Sequence, residues 1–314
     1  MEPLENRSLA QFWAPRYWLT WLVYAWMRAI VFLPFSWQLW VGRRLGRILH
    51  VVLHQKRHVA ESNLATCYPE LSDQDRDTLR RRHFEAIGTS FIEMSMSWFG
   101  SQKTVRDLVH VEGEEHLRNA LAKGKGVILF CAHFTTLEFF HPTLKQLCPT
   151  ASAMYRLQRN KMMNVIMTRG RRRSFDELFQ KNSVRTMMRS LARNAVVWYA
   201  TDQSYRSKHS ALIPFLNVPA MTNTATSRLA KVSGATVLTY FGRRLPDNSA
   251  YVLTIGAPLE NFPSDDLVTD TARLTRELEI YLRQCPEQYG WIHRRFKGRP
   301  EPYPDIYLSK KPSA

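Results

Sequence analysis

Residues 124–132 read Gly-Lys-Gly-Val-Ile-Leu-Phe-Cys-Ala, and the last six of them, Val127–Ala132, are apolar without interruption. A run this short and this uniform favours a strand buried on both faces, because a strand with one wet face would alternate between apolar and polar side chains. The sequence therefore predicts a central strand of a parallel or mixed sheet at this position.

The same alternation of helix and buried strand continues along the chain. A short strand and a helix are predicted before the central strand, and three further strands and three further helices after it. Such alternation is typical of an α/β fold, here a mixed sheet flanked by helices. The predicted ranges are strand Leu108–Val111, helix Gly113–Ala122, helix 183–193, strand Ala195–Ala200, helix 224–233, strand Ala235–Phe241, strand Tyr251–Ile255 and helix 268–284.

The N-terminal segment is rich in tryptophan. Six of the nine tryptophans fall within the first 40 residues, and the 17-residue stretch Tyr17–Leu33 carries a single charge, Arg28. Tryptophan favours the membrane interface because its ring is apolar and its N–H remains hydrated. The stretch predicts a membrane helix, either one span or a deeply inserted interfacial helix, with a buried core helix as the alternative. Basic residues follow it, so the rest of the chain is expected on the cytoplasmic side of the membrane.

The aromatic segment and the elements predicted after it divide the chain into three parts. Residues 1–42 are predicted to be a single N-terminal membrane anchor, residues 43–110 a helical membrane-proximal region, and residues 111–314 an α/β domain. In the second segment, residues 71–99 predict a long helix, because Ser72 can cap its start and an acidic first turn follows.

The charge balance indicates what kind of partner the protein meets. Lys and Arg outnumber Asp and Glu by 44 to 27, which gives a formal net charge of +17 and suits anionic lipid headgroups, an acidic carrier protein or nucleic acid. No zinc-finger or RNP motif accompanies the charge, and the tryptophan-rich segment does not fit a nucleic-acid-binding protein, so that class is set aside. The four cysteines form no metal-binding or disulfide pattern.

His133 and Asp202 follow the ends of two predicted strands. Ligands of α/β sheets usually bind beyond the carboxyl ends of strands, so both residues are candidates for the site. His133 also precedes Glu138 by five residues. A histidine can take the proton of an attacking hydroxyl, and a carboxylate on its second ring nitrogen would orient it. The pair can meet only if His133 lies in the turn and Glu138 in the first helical turn, since five residues of one helix place side chains about 140° apart.

Two other interpretations of Glu138 remain open from the residues alone. Thr135-Thr136-Leu137-Glu138 has the pattern of a helix capping box. Glu138 and His141 also form an E-x-x-H pair, but a di-iron site needs a second such pair, which the sequence lacks. No metal site is therefore predicted, and the sequence shows no cofactor-binding motif.

Several segments together resemble the lipid A biosynthesis late acyltransferases (lauroyl, myristoyl and palmitoleoyl transferases), within the glycerolipid and lysophospholipid acyltransferase superfamily. They are the H-x4-E motif at His133, Trp198–Gln203, Ile213–Leu216, Leu229–Ala235 and Pro286–Lys297. The resemblance implies transfer of a fatty acyl chain from acyl carrier protein to a hydroxyl of a Kdo-lipid A precursor at the inner membrane. It also implies that His133 is the general base oriented by Glu138, that Arg171 belongs to the second motif and that Asp202 is the acidic residue of the third.

The third motif departs from that of the phospholipid-making relatives. They carry F-P-E-G-T-R-S where this chain has Tyr199-Ala200-Thr201-Asp202-Gln203-Ser204, which argues against a glycerol-phosphate acceptor. An enzyme of the same superfamily acting on another glycolipid or on a lysophospholipid is the alternative.

Residues 151–210 hold 13 Lys and Arg, including Arg169 and Arg171, against three acids. Because arginine binds phosphates and carboxylates well, Arg169 and Arg171 are candidate substrate-binding residues, with a solvated helix face as the alternative for each. The resemblance adds Asp202 as a third candidate.

Overall fold

The structure is a computed structural model that describes residues 6–207 and 209–308. In chain order its elements are α1 (Trp18–Ile30), α2 (Phe35–Val52), α3 (His54–Cys67), α4 (Asp73–Phe99), α5 (Gln102–Asp107), β1 (Val109–Glu112), α6 (Glu114–Ala122), β2 (Val127–Cys131), α7 (His141–Leu147), β3 (Ala151–Tyr155), α8 (Lys161–Arg172), β4 (Glu177–Gln180), α9 (Val184–Ala192), β5 (Val196–Ala200), β6 (Ser210–Phe215), β7 (Val218–Asn223), α10 (Ala225–Ser233), β8 (Thr236–Arg244), β9 (Tyr251–Ile255) and α11 (Leu267–Leu282).

A mixed sheet of seven strands, in the order β1-β9-β8-β2-β5-β3-β4, forms the centre of the fold. β8 and β9 are antiparallel, and the other neighbouring pairs are parallel. A separate antiparallel hairpin joins β6 and β7. The predicted α/β fold with a mixed sheet flanked by helices is therefore confirmed.

Strand β2 lies in the middle of this sheet, between β8 and β5. All five of its residues are buried. Ile128 and Phe130 pack into the hydrophobic cluster on one face of the sheet, whereas Val127, Leu129 and Cys131 pack into the cluster on the other. Both faces are covered, which explains why this strand shows no alternation in sequence.

Helix α4 is the long helix predicted at residues 71–99, and the Ser72 hydroxyl caps it by accepting the N–H of Asp75 at 3.1 Å. It crosses α2 in close contact. A Cβ atom added to Gly88 would lie 2.1 Å from the carbonyl oxygen of Gly42 and 2.2 Å from the nitrogen of Gly46. The glycines therefore permit backbone-to-backbone packing of the two helices. The C-terminal end of α4 carries the buried Trp98 to the site described below.

The N-terminal segment differs from the prediction. Helix α1 has 13 residues and ends at Ile30, and a new helix, α2, begins after Pro34. Thirteen residues rise about 20 Å, less than the hydrocarbon thickness of about 30 Å. Among residues 6–207 and 209–308, no helix has the length and apolarity needed to cross a membrane, so the predicted N-terminal membrane helix is not supported. The division of the chain at residues 42 and 110 stays a prediction.

Candidate active site

His133 and Asp202 lie at the same edge of the sheet. Strands β2 and β5 are parallel neighbours, and their last residues, Cys131 and Ala200, are in register. Each strand is followed two residues later by one member of the pair. The predicted position of both residues beyond the carboxyl ends of strands is confirmed, and the strand pairing brings them into contact.

Asp202 holds His133 through both of its carboxylate oxygens. The backbone N–H of His133 donates to Oδ2 at 2.9 Å, and ring atom Nδ1 lies 2.5 Å from Oδ1. An ionised carboxylate only accepts hydrogen bonds, so Nδ1 carries the proton in this pair. The Asp202 side chain is 1% exposed and that of His133 is 30% exposed. Nε2 is therefore the nitrogen available to a substrate.

The two groups shift each other's pKa in opposite directions. Burial of the ring lowers the pKa of His133, but the charge and hydrogen bond of Asp202 outweigh burial, and the pKa lies above its ordinary value. Burial raises the pKa of Asp202, but His133 outweighs this effect and lowers the pKa to about 2. The result is an anionic carboxylate that stabilises the charged form of the imidazole ring.

Glu138 does not occupy the position predicted for it. Residues 135–140 form turns and α7 begins only at His141, so Glu138 lies before the helix. Its carboxylate accepts from the indole N–H of Trp98 at 3.0 Å and from Nε of Arg171 at 3.1 Å. The expected contact between Glu138 and the ring of His133 is thus corrected, because Asp202 fills that role and Arg171 attracts Glu138. The capping-box interpretation is also wrong, since Phe140 is the N-cap of α7 and no side chain caps it.

Arg171 and Glu138 form a nearly buried ion pair, with side chains 11% and 15% exposed. Burial raises the pKa of Glu138, but Arg171 outweighs burial and lowers the pKa to about 2. The guanidinium of Arg171 also lies over the ring of Trp198, with Cζ 5.5 Å from the ring centroid. Arg171 thus reaches the site from the C-terminal end of α8, held by a carboxylate and an aromatic ring.

His293 is a residue of the site that the sequence-based site assignment missed. Its partly buried ring meets the ring of His133 edge to face, with 5.5 Å between centroids. Burial, and next His133, lower the pKa of His293 to about 4, so the ring is neutral at pH 7. Gly290 allows this approach, because a Cβ atom there would lie 2.7 Å from the carbonyl oxygen of His133. The Pro286–Lys297 motif contains His293 and Gly290, and it was the sequence feature that could have identified His293 as part of the site.

The remaining candidate, Arg169, lies elsewhere. It is exposed on α8 and donates a hydrogen bond to the carbonyl oxygen of Arg7 at 2.8 Å. The structure therefore gathers His133, Asp202, Glu138 and Arg171 at one edge of the sheet and leaves Arg169 at the surface. Within residues 6–207 and 209–308, no group of three or more His, Cys, Asp or Glu side chains is placed to hold a metal ion.

A histidine with a buried carboxylate on Nδ1 and an accessible Nε2 can remove the proton of a hydroxyl group. Similarity to known proteins identifies the class of this protein, which is that of the acyl-transferring enzymes. Residues 6–298 match the family described as "Bacterial lipid A biosynthesis acyltransferase", and the chain belongs to that family. The family predicted from the sequence motifs is confirmed.

Individual relatives match over nearly their whole length. The chain is 34% identical to the lipid A biosynthesis lauroyltransferase of Escherichia coli (strain K12), with 93% of this chain and 96% of the relative covered. It is also 34% identical to the lipid A biosynthesis palmitoleoyltransferase of the same strain, over 95% of this chain and 97% of the relative. The myristoyltransferase of that strain is 26% identical, over 94% of each chain.

Proposed function

We propose that this enzyme moves a fatty acyl chain from the thioester of acyl carrier protein to a hydroxyl of a Kdo-lipid A precursor. The observation that carries the proposal is the His133–Asp202 pair at the carboxyl edge of the sheet, with one ring nitrogen free for a substrate hydroxyl. The relatives' names, which specify lauroyl, palmitoleoyl and myristoyl transfer in lipid A biosynthesis, support transfer of a fatty acyl chain and an acceptor of the lipid A type.

In the proposed mechanism His133 is the general base. Nε2 takes the proton of the acceptor hydroxyl as its oxygen attacks the thioester carbonyl. Asp202 stabilises the resulting imidazolium through Nδ1. The tetrahedral intermediate then collapses, the carbon–sulfur bond breaks, and the thiolate leaving group takes the proton from Nε2. The new ester forms in one transfer, and the enzyme itself never carries the acyl chain.

Glu138 acts in this proposal through Arg171. The ion pair and the indole N–H of Trp98 fix the guanidinium near the histidine, where its positive charge reaches His133. A fixed arginine suits the negative charge that develops on the attacked carbonyl oxygen or a phosphate of the substrate. Glu138 is thus a positioning residue and Arg171 the group proposed to contact substrate.

The enzyme is proposed to bind the inner membrane through the outer faces of α1 and α2. Large apolar side chains are exposed along them, including Trp18 at 60%, Leu22 at 69% and Trp37 at 63%. Residues 6–60 contain no Asp or Glu but eight Lys and Arg. Aromatic side chains beside cations suit the interface of an anionic membrane. The proposal is therefore that α1 and α2 lie in this interface, in place of the predicted single membrane span.

Mass spectrometry of the lipid product tests the proposed reaction. Detergent-purified protein is incubated with mixed acyl carrier protein thioesters and the tetra-acylated Kdo-lipid A precursor, and His133→Ala serves as the matched control. One added acyl mass that is absent with the variant supports the reaction and gives the chain length. No added mass with folded wild-type protein, on this acceptor or its penta-acylated form, would contradict it.

A further inference from the structure

A cleft separate from the His133 site lies between the start of α1 and the start of α8. It has a volume of about 340 Å³ and is lined by Arg16, Tyr17, Arg159, Asn160 and Lys161. Three of its five lining residues are cations. The cleft and Arg171 lie at opposite ends of α8, about 15 Å apart along the helix axis at 1.5 Å per residue.

The walls of the cleft are fixed by specific contacts. Asn160 caps α8 by accepting the N–H of Met163 at 3.1 Å, and it donates to the hydroxyl of the buried Thr20 on α1 at 2.7 Å. On the opposite wall, the guanidinium of Arg16 lies over the ring of Tyr17, with Cζ 4.9 Å from the centroid. Tyr17 is itself buried, so its ring is held in place and fixes the position of the Arg16 guanidinium.

The cations of the cleft lack acidic partners. Among residues 6–207 and 209–308, Arg16, Arg159 and Lys161 form no ion pair with a carboxylate. The stretches of chain that contain the lining residues are also free of acids, since residues 6–60 and 139–175 include no Asp or Glu. Like charges gathered around one space repel each other, and a bound anion would relieve that repulsion.

We infer that this cleft binds the phosphate of a lipid headgroup. Two arginines and a lysine match the charge and the acceptor oxygens of a phosphate ester. Trp13 and Trp18, which flank Arg16 in the chain, are 68% and 60% exposed, as expected of side chains at the headgroup level of a membrane. That orientation rests on the proposed docking of α1 and α2, whereas the binding of phosphate by the cleft does not.

Binding of short-chain phosphatidic acid to the purified full-length protein tests the inference without requiring turnover. The variant Arg16→Gln/Arg159→Gln/Lys161→Gln is compared with Arg118→Gln/Lys123→Gln/Lys125→Gln, which removes the same charge from exposed residues outside the cleft. We expect saturable binding that falls about tenfold or more in the cleft variant and stays unchanged in the control variant. No saturable binding by the wild type, or equal losses in both variants, would overturn the inference.

Two further measurements identify the source of the phosphate. If it belongs to the acceptor, the cleft variant raises KM for the phosphorylated acceptor but not for a dephosphorylated one, with kcat unchanged. If it belongs to bulk phospholipid, the variant weakens binding to phosphatidylglycerol vesicles and leaves KM for detergent-dispersed acceptor unchanged. If the cleft variant changes neither KM for the phosphorylated acceptor nor binding to the vesicles, the cleft does not bind a lipid phosphate. Failure of acyl transfer by the wild type would bear on the proposed function alone.

Discussion

Asp202 binds both the main chain and the ring of His133, at 2.9 Å to the backbone nitrogen and 2.5 Å to Nδ1. The two contacts fix the position of the residue and the rotation of its ring together. Since Asp202 is almost fully buried, water competes little for these bonds. The carboxylate therefore sets the tautomer of the histidine, its orientation and its pKa.

Asp202→Asn should lower turnover by about 10²–10⁴-fold while the protein remains folded, because the amide carries no charge to stabilise the imidazolium. The sign of the pH effect follows from the pKa. Asp202 raises the pKa of His133, and the base must be neutral to act. Removing the charge should therefore shift the acidic limb of the kcat/KM profile to lower pH. A variant with an unshifted limb and wild-type turnover would exclude this role for Asp202, and His133→Ala gives the background rate.

The Glu138–Arg171 pair should contribute to stability in a defined pH range. The pKa of Glu138 is lowered from 4.5 to about 2, so its stabilising effect is complete above pH 4.5 and is lost as the pH falls towards 2. Wild type should lose more unfolding free energy across that range than Glu138→Gln. Urea unfolding of both proteins at several pH values measures the difference, and parallel curves would contradict the prediction.

At neutral pH, either single variant leaves a nearly buried charge without its partner. Glu138→Gln and Arg171→Gln should each cost about 3–5 kcal/mol, and the double variant less than their sum. Strict additivity in this cycle would mean that the two side chains do not interact. Both single variants should also raise KM or lower kcat, because Arg171 loses its position in one and is absent in the other.

Contact between α2 and α4 depends on Gly88. Alanine in a helix is ordinarily favoured over glycine by about 1 kcal/mol. At Gly88 the added Cβ atom would meet the backbone of Gly42 and Gly46, which cannot move without separating the helices. Steric cost should therefore prevail, and Gly88→Ala should destabilise the protein by about 1–3 kcal/mol. Arg82→Ala, at an exposed position of the same helix, should change the unfolding free energy by less than about 0.5 kcal/mol. A stabilised Gly88→Ala variant would refute the close crossing.

The strands that were predicted are those whose sequence carries a strong local signal. β2 is wholly apolar and β9 was predicted with its observed limits, Tyr251–Ile255. β3 was not predicted, since Ala151–Tyr155 combines small residues with Ser152 and lacks a long apolar run, although it lies inside the sheet. Its position is set by pairing with β5 and β4, which a local pattern does not report.

The candidate site was also predictable only in part. The edge on which His133 and Asp202 lie follows from where two strands end, and this was predictable. Which carboxylate meets the ring depends on β5 being the neighbour of β2, a long-range pairing. Glu138 is close to His133 in the sequence, but it forms hydrogen bonds with Arg171 on α8 and Trp98 on α4. Likewise the apolar stretch Tyr17–Leu33 indicated a long helix, but the helix ends at Ile30, short of Pro34.

Membrane binding should depend on the exposed aromatic side chains of α1 and α2. Trp18→Ser/Trp37→Ser removes two of them without touching the His133 site, and each side chain buried in lipid contributes about 1.5–3 kcal/mol. The variant should bind vesicles containing phosphatidylglycerol at least about tenfold more weakly in a flotation assay, while its activity on detergent-dispersed substrate stays at the wild-type level. Val184→Ser/Val232→Ser, at residues 45% and 72% exposed outside these helices, should bind as wild type does. Salt should weaken wild-type binding, because the flanking cations act through screened charge. Equal binding by the tryptophan variant and the control would rule out α1 and α2 as the membrane-binding surface.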